Sequence, residues 1–158
     1  MNAIKRVIIK VMSKKSKPMM WYTCGVIGDV CKAFYKKNRN EALPVIVEVA
    51  NKSGVEWAEI LREMAPVKSM RDLDELFKMM DMTMDTGIEI IEASDDVFHF
   101  KMPKCIYGIQ GTSRELCEAM MVSDKTMIST LLGKEVDVKI PQTMAESDNI
   151  CEVIFSIK

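Results

Sequence analysis

Gly87-Ile88-Glu89-Ile90-Ile91-Glu92-Ala93-Ser94-Asp95-Asp96-Val97-Phe98-His99-Phe100-Lys101-Met102 is where the chain changes period. Upstream, apolar residues recur every three or four positions. Here Ile88 and Ile90 alternate with Glu89, Ser94-Asp95-Asp96 supplies a turn, and Phe98, Phe100 and Met102 alternate with Val97, His99 and Lys101. A period of two bounded by turn residues predicts a β-hairpin with one apolar face. That face needs a cover, and the helical segments before it are the available material.

Working back from Gly87, Ser69-Met70-Arg71-Asp72 reads as a capping box with Asp in place of Glu. It opens a helix whose face is Leu73, Leu76, Phe77 and Met80 and which Gly87 should stop. Before it, Leu43, Ile46, Val47, Ala50, Trp57, Ala58, Leu61 and Met64 keep one helical phase through Gly54, with Asn40 as cap and Pro44 near the first turn. A glycine on that stripe would admit a sheet or a second subunit closely. The first clear helix should begin at Ser16-Pro18, with a buried line of Met20, Cys24, Ile27, Cys31, Phe34 and Tyr35 and Gly28 beside it. Lys5, Arg6, Lys10, Lys14, Lys15 and Lys17 precede it as a basic arm, ambiguous between a short helix and an edge strand.

Working forward, Pro103 ends the hairpin and a glycine-punctuated loop follows. Thr112-Ser113-Arg114-Glu115 caps a helix running to Gly133. Val136, Val138 and Ile140 alternate as one strand, and Cys151, Val153, Phe155 and Ile157 line one face of a last strand. Three helices, a hairpin, a helix and two strands predict an α+β fold: a four-stranded, mainly antiparallel sheet with helices stacked on one face. At 158 residues one domain is expected, comprising the arm (1–17), a helical half (18–86) and a sheet half (87–158).

Composition narrows the class. An apolar content of 48% with 28% charged residues is an ordinary globular balance, and a net charge of −1 argues against a dedicated nucleic-acid binder. No apolar run approaches the roughly 20 residues a bilayer requires, and the run Val7–Met12 is too short for a secretory core. We therefore expect a cytoplasmic protein without membrane or nucleic-acid partners. Five cysteines, an odd number with no close pair, fit free thiols in a reducing compartment. Fifteen methionines against five phenylalanines is an unusual recipe. Core filler is the plain explanation, and a deformable apolar pocket is the sharper one.

Candidate chemistry concentrates in the last third. Cys105 follows the hairpin, Cys117 lies on the following helix and Cys151 opens the final strand. Cys24 and Cys31, two turns apart on one helix, read as inert core thiols. Asp124 falls on the apolar stripe of its helix two turns after Cys117. Either it touches a site, or Ser123-Asp124 caps a second helix; the cap is the more economical account, since a carboxylate rarely sits unpaired on an apolar stripe. The lone histidine, His99, lies on the polar face of the hairpin and reads as structural or solvated.

Cys105 after a strand, Leu116-Cys117-Glu118-Ala119 on a helix, and Ala145-x-Ser147-Asp148-x-x-Cys151-x-x-x-Phe155 at the end resemble proteins of the L-2-amino-thiazoline-4-carboxylic acid hydrolase-like family. That family is related to the 4-vinyl reductase domain and to the fold of TRAPP transport components. The resemblance covers roughly the last 55 residues, the helical half matching only in layout. Ser147 stands where the family commonly has Gly, and Met120 stands where an acid is expected one turn after the helical Cys, with Asp124 the nearest substitute.

The resemblance implies hydrolysis of a small heterocyclic or amide compound. In that reading Cys117 is a nucleophile whose pKa its early place in the helix would lower; the plainer account makes Cys117 and Cys151 small apolar residues packed in the core. Asp148 or Asp124 serves as acid or base, Tyr107 orients the substrate, and Cys105 and Cys151 complete the ligand site. The alternative is a small-molecule-binding or sensor domain without turnover, its apolar pocket lying between helices and sheet. A three-thiolate metal site is a third reading, against which the Cys spacing matches no standard zinc pattern. No cofactor is expected, and a homodimer on the long helical face suits either main reading.

Overall fold

A computed structural model gives the structure of the chain, describing the backbone of residues 3–64 and 66–158 and the side chains of residues 16–39, 41–63 and 66–158. The hairpin anticipated from the change of period is present as β1 (Glu89–Ala93) and β2 (Val97–Met102). Two further strands, β3 (Val136–Gln142) and β4 (Cys151–Ile157), complete a sheet of order β1-β2-β4-β3 in which every pair is antiparallel. Phe98 opposes Phe155 and Phe100 opposes Val153 across β2 and β4, so the four side chains share one face. Phe98, Val153 and Phe155 are fully buried there, and Phe77 from a covering helix stacks 4.8 Å from Phe98 and 5.3 Å from Phe100. The other face carries His99, 2.8 Å from Glu152, with Lys101 3.7 Å from the same carboxylate. Pro141, which donates no ladder hydrogen bond, falls on edge strand β3 where the register shifts.

Four helices precede and interrupt the sheet: α1 (Ala3–Asn38), α2 (Ala42–Met64), α3 (Leu73–Met84) and α4 (Arg114–Leu132). The α+β architecture is thus as the sequence suggests, and its boundaries differ in three places. The expected start at Ser16-Pro18 is overturned, because α1 begins at Ala3 and passes through Pro18. Proline's fixed φ is helical, so the ring removes one hydrogen bond, to the Lys14 carbonyl, without forcing the chain out of helical dihedrals. The basic-arm side chains Lys5, Arg6, Lys10, Lys14 and Lys15, and those of Asn40 and Met64, lie outside the described residues. The second difference is in α3, which stops at Met84, with Asp85 in the left-handed region at φ 55° before Gly87 is reached. Finally, no second helix starts at Ser123-Asp124, and α4 is unbroken.

Both capping motifs form. Asp72 accepts from the Ser69 N–H at 3.0 Å, and Ser113 Oγ accepts from the Leu116 N–H at 3.2 Å. The burial of α1 is narrower than its sequence stripe. Met20, Cys24, Cys31 and Tyr35 are half-buried around buried Gly28, whereas Ile27 and Phe34 face water. Trp57 on α2 is likewise half-exposed.

Gly54 packs against another helix, neither the sheet nor a second subunit. A Cβ at that position would lie 2.5 Å from the Ser123 carbonyl oxygen and 2.8 Å from Thr126 Cβ, so α2 and α4 touch backbone to backbone. Gly25 is its control, since nothing lies within 4 Å of a Cβ built there. We expect Gly54→Ala to lower unfolding free energy by about 1–3 kcal/mol in urea titration. Gly25→Ala should raise it by about 0.5–1 kcal/mol through helix propensity. Equal effects from the two would refute the backbone contact.

Candidate functional site

Two apolar clusters meet at α4. One joins α2, α3 and the sheet around Leu61, Leu73, Phe98 and Phe155; the other joins the start of α2, the 105–109 loop and the first half of α4 around Ala42, Ile46, Ile109 and Leu116. Between them lies a cavity of about 110 Å³. Its floor is the sheet, through Phe100, Ile140, Cys151 and Val153, and its sides are α3, α4 and the 105–109 loop. Five methionines line it: Met80, Met84, Met102, Met120 and Met121. Unbranched thioether side chains fill such a gap without fixing its shape.

Cys105, Tyr107, Cys117, Asp124 and Cys151 all line this one cavity. Asp148 does not. It sits in a shallow, open, polar depression with Ser113, Arg114 and Glu146, and its carboxylate accepts from the Thr143 N–H at 2.7 Å. That bond closes the 143–148 turn ahead of β4, in which Ser147 adopts φ 74°. The place where the resembling family commonly has Gly is therefore a left-handed position here. Asp148 shapes the turn and does not line the cavity, although its charge reaches Cys151 and helps raise that thiol.

Cys117 sits one turn into α4, yet it is buried, and burial pushes its thiol up to about 11. Thr143 Oγ1 donates to its Sγ at 3.2 Å, which favours the thiolate, but desolvation outweighs that bond. At neutral pH such a group is almost wholly thiol, a weak nucleophile. Burial also raises Cys151, and Cys24 and Cys31 on α1. Among the described residues no group of three or more His, Cys, Asp or Glu is placed to hold a metal ion.

Tyr107 is held by α1. Gly28 lies so close that a Cβ there would fall 1.7 Å from the Tyr107 carbonyl oxygen, and Lys32 Nζ donates to the Gly108 carbonyl at 2.9 Å. Burial moves the Tyr107 phenol well above its usual range, and the nearby Asp124 carboxylate adds to the shift. Thr143, Met84 and Met102 were not singled out as site residues. The surplus of methionine was the one sequence signal for this wall, and it carried no positions.

Asp124 is half-buried on the cavity side of α4, one residue from the Gly54 contact. Burial raises it from 3.8 to about 6, offset in part by a hydrogen bond from its own backbone N–H. The folded state then holds this proton more tightly than the unfolded chain, so stability falls as pH rises from 3.8 to about 6. Above that range the ionised carboxylate costs on the order of 2–3 kcal/mol. We expect Asp124→Asn to melt about 5 °C higher than wild type at pH 8, the gain vanishing near pH 4 in thermal denaturation. An unchanged or lower melting temperature at pH 8 would remove the penalty assigned to this carboxylate.

No protein-family model matches the sequence, and no curated protein matches it. Solved structures do. The phenol-responsive sensory domain of the transcription activator PoxR, crystallised with phenol, superposes with a TM-score of 0.61 at 14% identity, over 85% of this chain and 74% of that one. A trafficking protein particle complex subunit 3 from Naegleria fowleri, covalently bound to palmitic acid, superposes with a TM-score of 0.67 at 9% identity, over 90% of this chain and 96% of that one. At these identities the likeness is one of fold. The fold relatives suggested by the sequence are found, and no match to the thiazoline-carboxylate hydrolase family accompanies them.

Proposed function

We propose that this chain is a non-catalytic small-molecule-binding or sensor domain whose ligand is a compact apolar compound of about one ring. The single observation that carries the reading is the methionine-walled cavity between helices and sheet. At about 110 Å³ it is near the scale at which apolar cavities of ~150 Å³ admit benzene, and five flexible methionines can yield further room. The PoxR sensory domain, which shares the fold, was crystallised with phenol. Cys105, Cys117, Cys151 and Tyr107 then act as wall, with Asp124 the polar exception.

Hydrolysis of a thiazoline carboxylate or related amide draws less support. Cys117 is a thiol at neutral pH, Asp148 is committed to its turn outside the cavity, and among the described residues two carboxylates and no basic side chain line the cavity, an unwelcoming place for an anionic substrate. Saturating phenol or toluene should raise the melting temperature by about 3–5 °C in wild type and in Cys117→Ser alike. Thiazoline carboxylates and simple amides should hydrolyse no faster with protein than in buffer. Turnover that disappears in Cys117→Ser would instead establish the enzyme.

The outer faces of α1 and α2 support a homodimer. Met19, Tyr22, Val26, Val30 and Phe34 form one exposed line and Val45, Val49, Trp57 and Ile60 another, each recurring at three- or four-residue or longer helical spacing. Exposed apolar lines of that kind suit association. Among the described residues no helix is long and apolar enough to cross a membrane, and we assign the surface to a second copy of the chain. Sedimentation at tens of micromolar should give a dimer mass, and the pair Tyr22→Lys with Val30→Lys should give a monomer of unchanged circular dichroism. A monomeric wild type would remove the dimer.

A further inference from the structure

The charge on the cavity wall is one-sided. Asp81 and Asp124 line it, and among the described residues no lysine, arginine or histidine does. Asp81 is already engaged, its Oδ1 accepting from Thr86 Oγ1 at 2.6 Å and from the backbone N–H groups of Gly87 and Ile88 at 2.9 and 3.4 Å. Those bonds tie the end of α3 to the start of β1. Asp124 differs: among the described residues no other side chain hydrogen-bonds or ion-pairs with its carboxylate.

Its neighbours do not compensate it. From the same helix come Met120, Met121 and Cys117, from the loop Cys105 and Tyr107, from β4 Cys151, and from α3 the engaged Asp81. Of the lysines nearby, Lys32 is held by Asp29 and the Gly108 carbonyl and Lys104 by Asp85, and Lys125, next in the chain, does not line the cavity. Set on an apolar wall with no side-chain partner, an ionised carboxylate has fewer hydrogen bonds than in open water. A ligand carrying a cationic N–H donor supplies one, and a charge-assisted bond is a strong one. A ligand carrying its own carboxylate meets two like charges instead.

We propose that Asp124 is the specificity-determining residue of the cavity and that its ligand class is a small apolar amine, one ring or similarly compact, whose ammonium group the Asp124 carboxylate receives. This rests on reading the cavity as a ligand site. It adds the polarity of the ligand's head to the size and apolarity of its body.

Three single-ring probes that differ only in the head group test it: toluene, benzylamine and benzoate, titrated calorimetrically into the full chain at pH 7.5. Wild type should bind benzylamine at least tenfold more tightly than toluene and should show no saturable binding of benzoate. Asp124→Asn should lose at least tenfold in benzylamine affinity while keeping toluene within about twofold. Equal binding of toluene and benzylamine to wild type would overturn the proposal whatever the variant does, and so would benzylamine binding that survives Asp124→Asn. Toluene bound without preference for the amine removes Asp124's role and leaves the ligand site standing. Failure of all three probes to bind overturns both.

Discussion

The backbone contact between Gly54 of α2 and Ser123 of α4 fixes the rotation of α4 about its own axis. With Ser123, Thr126 and Met127 turned to α2, the line Cys117, Met120, Met121 and Asp124 at i, i+3, i+4 and i+7 must face the sheet and α3. Those residues are the α4 wall of the cavity. A side chain at position 54 would separate the helices or turn one of them, and either motion would re-aim every polar group in the hollow. The site thus owes its composition to a residue that does not touch it.

Desolvation governs the chemistry that results. Cys117 has an early helical position and a hydroxyl donor, both favouring its thiolate, and burial still leaves it a thiol. Cys151 is displaced in the same direction. Asp124 feels the same cause, but its ordinary range lies so far below neutrality that even at about 6 it is mostly ionised at pH 7. The same environment therefore keeps Cys117 and Cys151 as thiols and leaves Asp124 charged. That contrast makes the cavity better suited to holding a molecule than to attacking one.

The architecture was legible where local and global signals agree. Phe98 and Phe100 alternate in a strand whose partners Val153 and Phe155 alternate too, so one register buries all four. The Ser69 and Ser113 caps are short-range bonds between residues three apart. Pro18 misled because a proline ring is a strong stop only where its clash cannot be absorbed, and the sequence does not record the flanking dihedrals. Ile27 and Phe34 misled because periodicity reports an apolar stripe without saying what covers its edge. Asp124 misled for a third reason: a rule about buried charge describes what folds tolerate on average, and a single half-buried carboxylate can break it. That Cys105, Cys117 and Cys151 line one cavity depends on long-range packing, whereas the burial of Cys117 and Cys151 follows from the apolar stripes that carry them.

Trp21 projects from α1 and its indole N–H donates to the carbonyl oxygen of Met84, a residue of the cavity wall. The other tryptophan, Trp57, is half in water at the edge of α2's buried stripe. Their emission should differ in colour, the exposed indole being the redder of the two. One native fluorophore therefore sits a single hydrogen bond from the hollow while its counterpart reports solvent, which equips the unlabelled chain with an optical gauge of cavity filling and its own internal reference.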